Sequence, residues 1–300
     1  MIDLHVHTTH SDGQLKVVQI LQRAKDAGID AISFCDHNVV GAYEELAKSD
    51  LSNFGIKIIP GVEFDFAYKG KDFHILGYNF DWRKLNKSRI IDKNTPEDKM
   101  EEERKHLIFL KEVCKKLNIK IDDSLDIKSP NEKASTILKY HMMEFEENSQ
   151  ILDEMLGKNR EKSFARGFVH NPNSPFFIDM TIGLPTAQEV ADEIHKCGGM
   201  VFLAHPFDYK DIDHKQYIQE IFDLGILDGI ECIHTRHTLE QINYIKEVCR
   251  IHNLKISGGS DFHRDGKQRL GYGVNGTIEI TQDYLFKNIE REVGSNGREI

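Results

Sequence analysis

Histidines and carboxylates in this chain cluster just after short apolar stretches. His5-Val6-His7 closes the first stretch, with Asp12 just beyond; Asp36-His37 closes a second, Glu63 a third, and His74 stands at or near the end of a fourth. After a long gap the pattern returns as His205-Pro206, then Glu231 with His234 and His237, then Asp261-Phe262-His263. Taken singly, each has an ordinary reading: a half-exposed imidazole pair, a surface glutamate, a turn residue, a helix cap. Together they offer imidazole and carboxylate without thiolate, the donor mix of Zn²⁺, Mn²⁺ or Fe²⁺. A His-x-His on a strand puts two rings on one face, about 7 Å apart along the backbone. One closed zinc site uses about four donors. The surplus here points to two or three ions sharing bridging groups, an arrangement suited to in-line attack at phosphorus.

Such donors converge only if the elements beneath them are ordered alike. In Ile2–His7, Leu4 and Val6 face one way and His5 and His7 the other. A helix is predicted from about Leu15 to Ala27, with Val18, Leu21 and Ala24 on its buried face and Gly28 at its end. Further strands are predicted at 31–35, 56–62 and 73–78, with a helix at 41–47. Beyond residue 185 the rhythm resumes. Thr186 with Glu189 and Thr238 with Gln241 form capping boxes, and strands are predicted at 200–204, 230–233 and 255–257. Strands alternating with helices imply a parallel sheet, open or closed into a barrel whose strand ends share one face. Residues 85–185 break the alternation. Leu107, Leu110, Cys114 and Leu117 recur at helical spacing among mixed charges, more helix is predicted at 133–156, and Asn171–Pro175 is a loop. The domain reading is therefore a site-bearing barrel at 1–84 and 186–300, with a mostly helical insertion at 85–185 forming a wall or cap over the site.

Composition excludes several classes. The net charge is −10, against a duplex DNA binder, which needs a basic face. No run of 18 apolar residues exists, so no membrane span is expected. The start, Met1-Ile2-Asp3-Leu4-His5, lacks a basic and apolar leader, so the cytoplasm is the expected location. The 5 cysteines show no CxxC pair and are read as reduced core thiols. No GxSxG elbow accompanies the histidines.

The motifs His5-Val6-His7-Thr8 with Ser11-Asp12-Gly13, Asp36-His37-Asn38, Gly61-Val62-Glu63, Phe73–Tyr78, Ala204-His205-Pro206 and Gly259–His263 resemble, in order, those of the polymerase and histidinol phosphatase (PHP) family of metal-dependent phosphoesterases. Gly229–Cys232 through His237-Thr238 is similar to the nucleotide-directed members, which carry a helical insertion at this place. The resemblance implies a distorted seven-stranded (β/α) barrel and a trinuclear cluster. It assigns His5, His7, Glu63 and Asp261 to one ion, Asp12, His37 and His263 to a second, and Glu63, bridging, with His74 and His205 to a third. The implied reaction is hydrolysis of a small phosphomonoester, such as a 3′,5′-nucleoside bisphosphate, by a hydroxide bridging two ions. Histidinol-phosphate phosphatase and 5′-3′ exonuclease on short oligonucleotides are the alternatives; a non-catalytic metal-binding module fits least. Arg236 and Arg264 are candidates for the phosphate, and His234 and His237 for proton delivery or phosphate contact. The stretch Ser129–Tyr140 lacks the Arg-Pro-His run that subgroup members use on substrate, with His141 as a candidate substitute.

Overall fold

The computed structural model describes residues 1–92, 96–130 and 132–285. The end of the expected barrel segment, 286–300, and Asn131 within Ser129–Tyr140 lie outside the described residues. The chain forms two compact units, Met1–Asp92 with Gly183–Ile300, and Lys93–Ile182. Each has its own apolar core.

In the first unit, β1 (Ile2–Val6), β2 (Ala31–Phe34) and β3 (Lys57–Ile58) form a parallel sheet in that order. Helices α1 (Val17–Asp26) and α2 (Gly41–Leu46) connect them. The α1 stripe is Val17, Ile20, Leu21 and Ala24; Val18, expected inside, is exposed. The expected strand 56–62 is split, because Pro60 has no N–H to continue a ladder. Tyr43 holds the break together: its hydroxyl accepts from Phe34 N (3.1 Å) and Gly61 N (2.7 Å) and donates to Phe34 O (2.8 Å).

The second sheet runs β4 (Gly61–Tyr68), β5 (Lys71–Tyr78), β6 (Met200–Leu203), β7 (Gly229–Ile233) and β8 (Lys255–Gly258). Here the purely parallel expectation fails. The β4–β5 pair is an antiparallel hairpin and β5–β6 is also antiparallel, while β6–β7 and β7–β8 are parallel. The cause is local: Lys69 and Gly70 both have positive φ, 49° and 74°, the backbone of a two-residue hairpin turn that leaves no room for a crossover helix. Single parallel bridges, Val6 to Phe262 and His37 to Glu63, join the two sheets. A two-stranded ribbon of β9 (Tyr272–Gly273) and β10 (Ile278–Glu279) follows.

A short helix, α3 (Trp82–Leu85), ends the first stretch of this unit. The second unit is helical: α4 (Pro96–Lys116), α5 (Ala134–Met142) and α6 (Ser149–Leu156). Its core includes Leu107, Leu110, Val113, Cys114, Leu138 and Phe164. Leu117 lies past the end of α4 and is exposed, so Val113 replaces it in the stripe. Back in the first unit, α7 (Ala187–Lys196) and α9 (Leu239–His252) carry the expected capping boxes on Thr186 and Thr238. Asp213 caps α8 (His214–Asp223), which periodicity had not indicated. All five cysteines are free and buried. No described helix is long and apolar enough to cross a membrane.

Candidate metal centre

Strand pleating aims the donors. On β1, Asp3 and His5 point opposite to Leu4 and Val6, and His7 continues the same face; all are buried. Gly259 lets the exit of β8 pass beneath His5, since a Cβ there would lie 2.1 Å from the His5 Cβ. The loop after β1 is folded by Asp36, which accepts from Thr8 N (2.8 Å), Thr8 Oγ1 (2.7 Å) and Ser11 Oγ (2.6 Å). That places Asp12 against His7 and His263, at 3.4 and 3.0 Å.

Glu63 is the hub. Its Oε2 lies 3.2 Å from His5 Nε2, 3.2 Å from His7 Nε2 and 3.4 Å from His37 Nε2. Its Oε1 lies 2.8 Å from His205 Nε2 and 2.9 Å from His74 Nδ1. Glu63 and His74 are not at strand ends, as expected from sequence. They sit inside β4 and β5, because the hairpin continues past the donor layer. Asp261 completes the group, its Oδ1 3.3 Å from His7 Nε2 and 3.7 Å from His5 Nε2. Its φ is +54°, a left-handed conformation uncommon outside glycine and asparagine that recurs at functional sites.

The hydrogen bonds behind the rings decide what they present. His263 Nδ1 lies 2.8 Å from the Asp261 carbonyl, which can only accept, so Nδ1 carries the proton and Nε2 faces Asp12. His5 Nδ1 faces Glu231 Oε1 at 2.9 Å and His37 Nδ1 faces Asp65 Oδ1 at 3.1 Å. Carboxylates behind imidazoles are the usual backing of metal-bound histidine. The inward nitrogens of His5 and His7 are then 3.1 Å apart, an arrangement that repels unless a cation sits between lone pairs. Two donors about 2.1 Å from one tetrahedral ion stand about 3.4 Å apart, close to these separations. Four overlapping sets could hold an ion: His7, Asp12, His37 and His263; His5, His7 and Asp261; His5, Glu63 and His205; His37, Glu63 and His74. The residues fit divalent cations, and each of the nine ligands that the resemblance assigns is in at least one set.

Without cations, protons take their place. Burial alone would lower the His37 imidazole, but the charge of Glu63 and the bond to Asp65 raise it to about 10. His5, His7 and His74 are raised against burial by neighbouring carboxylates. His205 is lowered, burial prevailing over Glu63. Burial would raise Glu63, Asp12 and Asp261; the surrounding imidazoles instead hold all three below the usual range.

The remaining nominees lie nearby with different partners. His234 is buried; its Nδ1 accepts from Arg236 N (3.2 Å), so the neutral ring carries its proton on Nε2, 3.4 Å from Asp261 Oδ2. His237 donates Nδ1–H to Cys232 O at 2.9 Å, and burial lowers it to about 3. That favours its neutral ring. Arg236 pairs with Asp208, and Arg264 is exposed. In the helical unit, His141 accepts from Asp122 N and contacts Glu144.

Sequence reasoning passed over Asp65, although it lies two residues from Glu63 on the same strand face. It also passed over Asp3, which accepts from Ser260 N (2.9 Å), Ser260 Oγ (2.6 Å) and Gly271 N (2.8 Å) and so fixes the approach to Asp261.

Residues 3–175 match the model of the PHP domain. The chain belongs to the PHP domain family. Among its relatives, a 5′-3′ exoribonuclease of Haemophilus influenzae is 26% identical, with 87% of this chain and 89% of that protein covered. A phosphoribosyl 1,2-cyclic phosphate 1,2-diphosphodiesterase of Eggerthella lenta is 25% identical over 87% of this chain and 93% of its own length. A 3′,5′-nucleoside bisphosphate phosphatase of Chromobacterium violaceum is 24% identical, with 89% and 88% covered. The fold is similar to that of a Chromobacterium violaceum chain described as an amidohydrolase with bound sulfate and no metal, at TM-score 0.65 and 22% identity over 90% of both chains.

Proposed function

We propose that this PHP protein hydrolyses a phosphomonoester of a small molecule, a nucleotide of the 3′,5′-nucleoside bisphosphate kind, using two or three divalent cations (Mn²⁺, Zn²⁺ or Fe²⁺). In its coarser form, the protein is a metal-dependent hydrolase of phosphate esters. The observation that carries the reading is the Glu63 carboxylate, with five imidazoles within 3.4 Å of its oxygens. The proposed ligands are His5, His7, Asp12, His37, Glu63, His74, His205, Asp261 and His263. The two single bridges between the sheets support a distorted seven-stranded barrel, made of β1, β2 and β4 to β8, as their scaffold.

Cations bound there supply a lowered water pKa and positive charge facing phosphoryl oxygens. The protein's part is to hold donors and substrate. Glu63 keeps its charge because the rings around it hold it ionised, so it can bridge neighbouring positions. Glu231 and Asp65 back His5 and His37. Arg236 and Arg264 are proposed to bind the phosphate, Arg236 by exchanging Asp208 for phosphoryl oxygens. Choice of the organic part is assigned to the helical unit.

The exoribonuclease and cyclic-phosphate diesterase names of the relatives support a second reading, cleavage of a diester at the same site. The test is a substrate panel with Mn²⁺: 3′,5′-bisphosphonucleosides, mononucleotides, histidinol phosphate, a ribose 1,2-cyclic phosphate and short oligonucleotides. Preference for the bisphosphonucleosides is the expected result. Preference for oligonucleotides or the cyclic ester would move the assignment to a diesterase.

A further inference from the structure

Glu231 was nominated from sequence as one more metal-competent strand end, yet it belongs to none of the ion-binding sets. It is fully buried on β7. The pleat turns Cys232 the other way, its thiol reaching Ile242 O on α9, so Glu231 faces the interior. Its Oε1 lies 2.9 Å from His5 Nδ1, and its Oε2 accepts the backbone N–H of His205 at 2.8 Å. A buried carboxylate is costly unless both oxygens are satisfied. Here both are satisfied by residues that face Glu63 from different strands.

We propose that Glu231 is a positioning residue that sets the tautomer of His5 and the path of the chain at His205, so that one carboxylate orders two members of the metal centre. This rests on the metal-dependent reading above. With its proton held at Nδ1, His5 keeps a lone pair on Nε2, the nitrogen 3.1 Å from His7 Nε2 and 3.2 Å from Glu63. The His205 amide is held where the backbone turns, at φ +21° just before Pro206, and this fixes where its ring meets Glu63. Two donors, an imidazole N–H and a peptide N–H, require two acceptors on one fork. A carboxylate provides them; an amide of the same shape provides one acceptor and one donor group.

That difference makes Glu231→Gln the test. The peptide N–H of His205 cannot become an acceptor, so the Gln carbonyl must serve it. The NH₂ group then faces His5 Nδ1, which must accept, and the proton moves to Nε2, where it blocks coordination. Zinc binding is measured by chelator competition on the full-length protein. The His5 tautomer is read from long-range ¹H–¹⁵N spectra of the zinc-loaded, ¹⁵N-histidine-labelled protein, with the His5 signal assigned by its absence in His5→Gln. The expected result is a loss of about 10- to 100-fold in affinity for zinc, with the His5 Nδ1–H signal lost and circular dichroism unchanged. Wild-type zinc affinity with an intact Nδ1–H signal in Glu231→Gln would overturn the proposal while leaving the metal centre standing. A wild-type protein that takes up no zinc would overturn the metal reading and this proposal with it. Should Glu231→Gln not fold, Glu231→Asp decides, since its shorter carboxylate cannot reach both His5 Nδ1 and the His205 amide: weakened zinc binding with a shifted His5 Nδ1–H signal supports the proposal, and wild-type zinc affinity with an unshifted signal overturns it.

Discussion

The metal centre should bind cations in steep competition with protons, and the structure gives the steepness. A ligand imidazole must be neutral, so each ring that is an imidazolium in the metal-free protein releases one proton on loading. Glu63, Asp12 and Asp261 are already ionised at neutral pH and release none. His205 is held neutral and also releases none. His37, raised to about 10, and His5, raised well above the free imidazole range, each release one near pH 7. His7 and His74 are raised too and add to this. Each proton contributes a factor of about ten per pH unit, so two give about a hundredfold gain in affinity from pH 6 to 7 and again from 7 to 8. The sign is fixed: raised imidazoles favour the proton, and affinity must climb with pH. The assay is zinc competition against a chelator of known protonation behaviour at pH 6, 7 and 8, with proton release checked calorimetrically in buffers of different ionisation enthalpy. A dependence of less than tenfold per pH unit, or no net proton release, would refute the reasoning.

Other outcomes follow from the same contacts. In the metal-free protein, the raised His37 stabilises the fold below about pH 6.5, and this contribution is lost as pH rises through about 10; thermal scans should show Tm falling over that range in chelated protein and staying nearly level in loaded protein. Asp3→Asn sets an NH₂ group against Ser260 N–H or Gly271 N–H, and should cost about 1–3 kcal/mol in urea unfolding; an unchanged midpoint would show that the network does not hold the β8 exit. Arg236→Ala should raise KM for a phosphomonoester about tenfold, the loss of one charge-assisted contact, with kcat nearly unchanged; an unaltered KM would leave Arg236 as the partner of Asp208 alone.

What was legible in the sequence was chemical type at strand ends. His5, His7, His37, His205 and His263 could be nominated because each follows an apolar run, and backbone periodicity gave the face. Pairing direction was not legible. The Lys69-Gly70 turn reverses the chain, and without it Glu63 and His74 read as ends of parallel strands when they are interior residues of a hairpin. The backing groups were obscured for a related reason. Asp3, Asp65 and Glu231 sit at period-two positions that chemical type alone cannot divide into donors and supports, because that division depends on which strand lies alongside. His237 shows the limit of residue type as a guide to role: burial and the Cys232 carbonyl decide its protonation, and neither is written in its neighbours along the chain. The missing Arg-Pro-His run was legible, whereas the engagement of His141 by Asp122 and Glu144 needed the fold.

The central claim, phosphate-ester hydrolysis at a centre built around Glu63, is tested most directly by phosphate release. Wild-type protein, chelated and then reloaded with Mn²⁺, is compared with His37→Ala and Asp261→Ala on an aryl phosphate and on a 3′,5′-bisphosphonucleoside. The account predicts turnover that disappears on chelation, returns with Mn²⁺, and falls by about a hundredfold or more in both variants. Turnover that survives chelation, or that persists near the wild-type rate in both variants, would contradict it.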